Sequence, residues 1–328
     1  MRRILLGLLS VLIVLALVAG GVVAWGFREY RAPGPAAADV VQVLPHGAGL
    51  GPIAAALRDA GVIRREILFV AAVRLTGAAP KLKAGEYRFA AHASLEQVIE
   101  QLIQGRTVVH KLTIPEGLLT VEVMALVANA EALTGALPPP PPDGSLLPET
   151  YFYSWGDSRA ALLGRMQKAM RDALQELWAS RKAGLPFARP EQAVILASIV
   201  EKETALAGER PHIAGLFLNR LRRGMRLQSD PTVAYGLTNG QAPLGRELSR
   251  ADLDSDTAFN TYRIEGLPPH PIANPGRAAL EAVANPSKTS DLYFVADGTG
   301  GHVFSETLEQ HNRNVRRWRA LHQAPNGK

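Results

Sequence analysis

The sequence predicts an α+β protein that joins one N-terminal membrane-spanning helix to two folded domains. Three observations support this prediction: an uncharged run at residues 4–27, alternating strand and helix patterns over residues 40–105, and a helix at residues 193–200 that is apolar on all sides. Of the 328 residues, 47% are hydrophobic and 20% are charged, so the chain can bury a core and does not have the composition of a disordered protein.

The N-terminal run has the length and composition of a transmembrane helix. As a helix, residues 4–27 would span about 36 Å, enough to cross the hydrocarbon core of a bilayer. A cleaved signal peptide is the alternative, but its apolar stretch usually has about 7 to 15 residues. Arg2 and Arg3 precede the run, so the positive-inside rule places the N-terminus in the cytoplasm. We therefore expect residues 1–30 to form a cytoplasmic tip and an inner-membrane span, with the remaining chain in the periplasm.

The amino-acid composition limits which catalytic groups, metal sites and binding partners the chain can have. The chain contains no Cys, which excludes thiolate nucleophiles, Cys-ligated metals and disulfides. The net charge of +6 favours an anionic partner, which could be nucleic acid, anionic lipid or an acidic polysaccharide. Because the folded part is expected outside the cytoplasm, no nucleic-acid partner is expected.

Residues 31–39 are rich in Pro, Gly and Ala and predict a linker to a small first domain at residues 40–110. Hydrophobic patterns predict its elements in order: a strand at 40–44, helices at 50–60 and 66–75, a strand at 85–89, and a helix that Ser94 caps and that ends before Gly105. The first domain is thus expected to have the order β-α-α-β-α.

The second domain is expected at residues 111–322, followed by a short tail at 323–328. Its first half is predicted to contain a strand at 108–114, a helix at 120–133, a surface loop at the five prolines 138–142, and a helix at 158–182. Helix 193–200 follows and is apolar on every side, as only a buried helix can be.

Two carboxylates follow this buried helix directly. Glu201 and Glu203 are two positions apart, so on a helix they point about 200° away from each other and cannot both face one cleft. Glu203 shares its face with the bulky Ile199 and Val200 and lies near the C-terminal end of the helix. Desolvation and the helix dipole would both raise its pKa, as suits a general acid. A surface Glu paired with Arg210 or Lys202 is the alternative.

The next helix is predicted at residues 209–223, with Gly224 after its end. Asn219 and Arg220 lie off its apolar stripe and could be solvated or line a groove; composition favours the solvated position. Asp230 is expected to cap a further helix, with Pro231 at the first helical position.

Ordered motifs along nearly the whole chain resemble the YceG-like family of endolytic murein transglycosylases. The motifs are KAGEYRF at 83–89, PEG at 115–117, LPETY at 147–151, LASIVEKET at 196–204, NRL at 219–221, GMRLQSDPTV at 224–233, NTY at 260–262, GLPP at 266–269, YFVADG at 293–298, GH at 301–302 and HN at 311–312. One departure is His270, which stands in a Pro-rich loop where relatives often have Gly.

The resemblance implies a LysM-like subdomain at residues 40–110 and a mixed α/β catalytic domain that cleaves peptidoglycan strands internally. It places the catalytic acid at the second carboxylate of the Glu-Lys-Glu block, Glu203. It implies no cofactor or metal. The positions expected around the sugars are Asn219, Gln228, Ser229, Asp230, Tyr235, Asn260, Tyr262 and His302. Peptidoglycan synthases are possible partners.

The implied reaction differs from that of common glycosidases, which use two carboxyl groups. A lytic transglycosylase uses the C6 hydroxyl of the N-acetylmuramic acid residue as the nucleophile, so a single acid-base residue suffices. Two alternatives stay open: a hydrolase in which Asp230 is the second carboxylate, and a noncatalytic wall-binding anchor. His302 could bind a saccharide or stabilise its own loop, and the aromatic rings are more often core or groove wall than sugar platforms.

Overall fold

The computed structural model describes residues 2–323, and the predicted tail beyond Gln323 lies outside the described residues. The chain forms two compact units. The first contains the described residues up to His110 together with Tyr153–Asp157, and the second contains Lys111–Phe152 and the described residues from Ser158 onward.

The chain begins with one long apolar helix, α1, at Arg2–Arg31. Its segment Leu6–Arg31 is long and apolar enough to cross a membrane, and no residue of its most apolar 18-residue window is buried, whereas Tyr30 near its end packs against the core of the first unit. This confirms the predicted N-terminal helix and is consistent with a single-pass anchor. The cytoplasmic N-terminus and the inner membrane stay predictions.

The first unit has the predicted order of strands and helices. Its elements are β1 at Val40–Leu44, α2 at Leu50–Asp59, α3 at Glu66–Leu75, a 3-10 turn at Ala79–Lys81, β2 at Gly85–Phe89 and α4 at Leu95–Gln104. Strands β1 and β2 are antiparallel, with Val40 opposite Phe89. Ser94 caps α4 by accepting from the Gln97 N–H, as predicted, and Gly105 ends it at φ = 70°, where a side chain would strain the backbone.

The second unit is mostly helical. Strand β3 (Val109–Thr113) enters it from the first unit and pairs with β4 (Thr150–Ser154). The remaining elements are α5 at Thr120–Ala128, α6 at Arg159–Ala179, α7 at Pro190–Glu203, α8 at Arg210–Arg222, α9 at Asp230–Thr238, α10 at Arg250–Leu253, α11 at Arg277–Ala284, β5 at Tyr293–Ala296, β6 at His302–Ser305 and α12 at Leu308–Gln323. Helix α5 is shorter than expected, because an irregular loop replaces its last predicted turn.

Helix α7 is the centre of the second unit, as its composition predicts. Eight consecutive residues, 193–200, are buried, and the helix packs against α6, α8 and α11. Ser198 is fully buried, but its hydroxyl donates to the carbonyl of Ile195 and accepts from the N–H of Ile272. Burial and saturated hydrogen bonding fix the position of α7, so its C-terminal end, which carries Glu203, is rigidly placed.

The proline run lies in a loop between α5 and β4, as predicted, but the residue after it is anchored. One oxygen of Asp143 accepts from the N–H of Thr120 at 2.6 Å, and the other accepts from the hydroxyl of Tyr235 at 2.7 Å. Asn274, fully buried, accepts from the N–H of Gly144 at 3.0 Å. The loop therefore ends at a fixed point beside α9.

Candidate active site

The two carboxylates at the end of α7 have separate environments. The side chain of Glu201 is 3% exposed, and its Oε1 lies 2.9 Å from Nη2 of Arg210. Its Oε2 accepts from the N–H of Gly276 at 2.8 Å. Glu203, the last residue of α7, contacts none of these groups and meets Ser229 instead. The two side chains diverge, as the helical spacing predicts, and Glu201 has a structural set of partners.

Glu203 accepts a hydrogen bond from the hydroxyl of Ser229 across 2.5 Å. The pKa of Glu203 is raised to about 7, mainly because burial disfavours the charged carboxylate. The charge of Asp230 also raises this pKa, whereas the Ser229 bond and the nearby His302 and Arg220 lower it, and the value of about 7 includes all of these effects. The residue as a whole is only partly buried. A carboxyl group that is half protonated near neutral pH can both give and take a proton.

The hydroxyl of Ser229 bonds to Glu203 instead of capping helix α9. It precedes the first residue of α9 in an extended conformation, but its hydroxyl makes no capping bond to that helix. Its N–H donates to Oγ1 of Thr261 at 2.9 Å, and the preceding Gln228 has a left-handed backbone with φ = 51°. The strained turn and the Thr261 contact together aim the hydroxyl at the carboxylate.

The prediction that Asp230 caps α9 is wrong. Ser229 occupies the capping position, and Asp230 is the first helical residue, followed by Pro231. The carboxylate of Asp230 instead accepts from the hydroxyl of Tyr262 at 2.6 Å. A carboxylate in the first turn of a helix is favourable through the helix dipole, so the same Asp-Pro pattern suits either position.

The expectation that Arg220 is solvated is also wrong. Arg220 is 6% exposed, and its guanidinium donates to the carbonyls of Leu292 at 2.6 Å and Leu227 at 2.8 Å. It also donates to Oε1 of Gln228 at 3.3 Å. The guanidinium has several donors in a fixed plane, so it can tie the segment before Ser229 to the start of the β5–β6 hairpin.

Glu209 fixes the loop that follows Glu203. Its carboxylate accepts from the N–H of His302 at 2.8 Å, lies 2.8 Å from Nδ1 of the same residue, and accepts from the hydroxyl of Thr204 at 3.1 Å. The imidazole of His302 is thereby held by Glu209, the residue that precedes α8. Strands β5 and β6 form an antiparallel hairpin.

The structure does not bring every expected residue to the carboxylate. Asn219 uses its amide to donate to the carbonyls of Thr289 and Asp291 at 2.8 and 3.2 Å. Asn260 is fully buried and donates to the carbonyls of Leu253 and Ser255 at 2.9 and 2.7 Å. Both amides hold loops in place. Gln228 and Asp230 are exposed, whereas Tyr235 is 6% exposed.

A cavity of about 630 Å³ adjoins this cluster. Asp230 and Tyr235 line one wall of the cavity and Lys202 another, together with apolar side chains of Leu118, Leu119 and Ile272. Glu203 itself is not part of the lining, but its chain neighbour Lys202 and the neighbour of Ser229, Asp230, are. The cavity is therefore lined by residues that are next in sequence to the hydrogen-bonded pair of Glu203 and Ser229.

Comparisons with known proteins agree with the resemblance in the motifs. The model of the YceG-like family matches residues 42–317, most of the chain. The chain belongs to the YceG-like family. It is 30% identical over 305 residues to the endolytic murein transglycosylase of Bacillus subtilis strain 168, covering 82% of each protein. It is also 30% identical over 320 residues to the endolytic murein transglycosylase of Streptococcus pneumoniae D39, covering 83% of this chain but only 57% of that protein.

A solved structure supports the assignment to the YceG-like family. The crystal structure of a YceG-like protein from Listeria monocytogenes superposes with a TM-score of 0.50 at 29% identity. The match covers 84% of this chain and 98% of the Listeria chain. This similarity and the family match support the mixed α/β fold predicted from the sequence.

Some residues of the site were not anticipated as part of it. Thr261 and Glu209 position Ser229 and His302, and Asp143 positions Tyr235. Each lies within or next to a motif or a turn. The sequence of such a segment does not predict which distant residue its polar side chain will bind. Only the YceG-like motif NTY, which contains Thr261, carried a signal.

Proposed function

We propose that this YceG-like protein is a membrane-anchored endolytic lytic transglycosylase, a lyase that acts on peptidoglycan. In this proposal it cleaves the β-1,4 bond between N-acetylmuramic acid and N-acetylglucosamine without water and leaves 1,6-anhydro-muramic ends. Two relatives that carry the name endolytic murein transglycosylase support the reaction class. Helix α1 would hold the enzyme in the inner membrane, with both folded units in the periplasm.

The observation that carries the proposal is the environment of Glu203. Its carboxyl group has a pKa of about 7 and accepts one hydrogen bond from Ser229, and the adjacent residues Lys202 and Asp230 line a cavity. Lytic cleavage needs a group that is protonated when the bond breaks and basic immediately afterwards. A carboxyl group with a pKa near the working pH meets both needs.

The proton transfers and bond changes of the proposed cleavage balance without a cofactor. The protonated carboxyl of Glu203 donates to the glycosidic oxygen, and the bond from C1 of the muramyl residue to that oxygen breaks. The carboxylate of Glu203 then takes the proton of the C6 hydroxyl of the same muramyl residue. As this proton leaves, the oxygen of the hydroxyl bonds to C1 and closes the anhydro ring. Since the nucleophile belongs to the substrate, no bound water is required, and the proximity of the hydroxyl to C1 lowers the entropic barrier.

Ser229 would stabilise the carboxylate that forms after proton transfer, because its hydroxyl already donates to Oε1 across 2.5 Å. We place Gln228, Asp230, Tyr235, Tyr262 and His302 around the sugars. Asp230 and Tyr262 share a hydrogen bond, and the Asp230 charge could also favour the developing positive charge on the muramyl ring. Asn219 and Asn260 would act by holding the surrounding loops.

The biological role that fits this reaction is to limit the length of new glycan strands. Internal cutting by an enzyme held at the membrane would act on strands as they leave a synthase. In this proposal the first unit is LysM-like and would bind the cell wall, which would give the enzyme a second attachment besides helix α1. Peptidoglycan synthases are therefore the proposed protein partners.

Mass spectrometry of peptidoglycan digested by the full chain in detergent tests the proposal. Wild-type protein should release fragments whose muramyl ends lack one water, and Glu203→Gln should release none. Reducing muramyl ends that disappear in Asp230→Asn would instead indicate a two-carboxylate hydrolase. Release of no fragments by either protein, with binding to peptidoglycan retained by both, would indicate that the chain is a wall-binding anchor.

A further inference from the structure

A second cavity is lined by Tyr262, the hydrogen-bond partner of Asp230. It has a volume of about 450 Å³ and is lined by Arg226, Leu253, Asp254, Tyr262 and Arg263. Tyr262 connects it to the candidate active site, because its hydroxyl donates to Asp230, the neighbour of the residue bonded to Glu203. Asp230 therefore lines the larger cavity, and its hydrogen-bond partner Tyr262 lines the arginine-lined cavity.

The two arginines at this cavity have no carboxylate partner among the described residues. Arg226 donates to the carbonyl of Tyr262 at 3.1 Å, and Arg263 donates to the carbonyl of Asp254 at 3.3 Å. Neither guanidinium forms an ion pair, and both side chains are exposed. Asp254 is the only acidic residue in the lining, so the cavity keeps an excess of one positive charge. Each guanidinium retains donors that can bind a carboxylate in a fork.

The lining of the larger cavity differs in net charge from that of the arginine-lined cavity. Its cations Lys202 and Arg246 stand among the acidic residues Glu122, Asp230 and Glu247, and Arg246 already binds Asp252 with both terminal nitrogens, at 2.6 and 3.0 Å. It has more acidic than basic residues in its lining, so it does not favour an anion. Of the two cavities, the smaller one combines unpaired guanidinium groups with Tyr262, whose hydroxyl donates to Asp230.

We infer that Arg226 and Arg263 form a subsite for the carboxylate groups of the stem peptide on the muramyl residue. The inference rests on the proposed function and names which peptidoglycan this site accepts. The residue that forms the anhydro ring carries its own peptide, so the free carboxylates of that peptide are tethered to the reacting sugar by a short chain. Strands with acidic stem peptides are then better substrates than strands without them.

The test compares three forms of one substrate: uncrosslinked strands with peptides, the same strands after an amidase removes the peptides, and strands whose peptide carboxyl groups are amidated. The full chain in detergent is assayed on each for the kcat/KM of anhydro-end formation. Wild type should favour the acidic strands about tenfold over both others, a value typical of two charge-assisted hydrogen bonds at an exposed site. High salt should reduce this preference.

The double variant Arg226→Gln with Arg263→Gln should lose this preference through a higher KM and retain wild-type kcat/KM on strands without peptides. The single variant Arg263→Gln leaves the Arg226–Tyr262 bond in place and should lose part of the preference. Arg223→Gln with Arg250→Gln is the matched control: it removes two exposed, unpaired arginines that line neither cavity and should keep the full preference.

The outcomes separate this inference from the proposed function. Equal loss on all three substrates, or an unchanged preference in the Arg226 and Arg263 double variant, would overturn the subsite. A preference that depends on the peptide but persists after amidation would also overturn it, because carboxylates would then not be what is bound. Absence of anhydro ends from every substrate with wild type would overturn the proposed reaction instead.

Discussion

The hydroxyl of Ser229 donates to the carboxylate of Glu203 across 2.5 Å, although Ser229 stands where a serine usually caps a helix. Helix α9 thus begins without the side-chain cap that its sequence offers, a loss worth about 1 kcal/mol in other helices. The hydroxyl stabilises the charged form of a carboxyl group that burial otherwise keeps protonated. The proposed reaction needs this balance, because Glu203 must exchange its proton in both directions.

Removal of this hydroxyl should shift the pH dependence of the reaction. The Ser229 bond lowers the pKa of Glu203, so Ser229→Ala should raise it and move the alkaline limb of the kcat/KM profile to higher pH. Activity at the optimum should fall about tenfold or more, since the developing carboxylate loses a donor. Ser290→Ala, which removes an exposed hydroxyl bonded to Glu306, is the control and should leave the profile unchanged. An unshifted profile in Ser229→Ala would contradict the assignment.

Glu203 should reduce the stability of the fold at high pH. Its pKa rises from 4.5 when unfolded to about 7 when folded, so the protonated form contributes stability fully below pH 4.5 and loses it as the pH rises through 7. Glu203→Gln should therefore be more stable than wild type at pH 8, by at most about 3 kcal/mol, and equally stable at pH 4. Urea unfolding at both pH values measures this difference.

The control for that comparison is Glu281→Gln, which changes an exposed carboxylate on α11. Its effect on the free energy of unfolding should be within about 0.5 kcal/mol at either pH. If Glu203→Gln were as stable as wild type at pH 8, the carboxyl group would have an ordinary pKa and the case for an acid-base residue would fail.

Burial raises the pKa of Glu201 as well, but Glu201, unlike Glu203, is paired with Arg210 and accepts from the N–H of Gly276. Glu201→Gln weakens an ion pair with Arg210 in which both side chains are largely buried, so it should cost about 1–3 kcal/mol of stability at neutral pH. The pH profile of the remaining activity should keep its midpoints. Thermal unfolding and the kinetic profile of the same preparation check both statements. A shifted alkaline midpoint in Glu201→Gln would mean that the wrong carboxylate has been assigned.

Arg220 should be essential for the fold around the site. Arg220→Lys keeps the charge, but a single ammonium group cannot reach the carbonyls of both Leu292 and Leu227 in the geometry of a guanidinium. We expect a loss of about 2–4 kcal/mol for Arg220→Lys or Arg220→Met, measured by urea unfolding. Arg223→Met, in the exposed residue at the end of α8, should cost little. Similar stability of the Arg220 and Arg223 variants would contradict this role.

Local patterns predicted most of the elements because the physical signal lies within each segment. The uninterrupted apolar surface of residues 193–200 required burial, and the spacing of Glu201 and Glu203 required that they diverge. The Ser94 cap and the Gly105 stop are decided within one turn of α4. These features depend on neighbours in the chain and can therefore be read from it.

Long-range partners were not predictable in the same way. Arg220 seemed solvated because its position on the helix is off the apolar stripe, but its acceptors are backbone carbonyls up to 72 residues away, and a carbonyl has no sequence signature. Asp230 and Ser229 are both good capping residues, so local preference could not decide between them. The position of Ser229 at the start of α9 is fixed by two distant residues: Thr261 binds its backbone N–H, and Glu203 binds its hydroxyl.

The most direct test of the central claim is digestion of peptidoglycan by the full chain in water enriched in oxygen-18. If Glu203 moves a proton within the substrate and no water attacks, the new muramyl ends should be anhydro and carry no heavy oxygen, and Glu203→Gln should form none. Reducing muramyl ends that contain oxygen-18 would show that water is the nucleophile and would contradict the account.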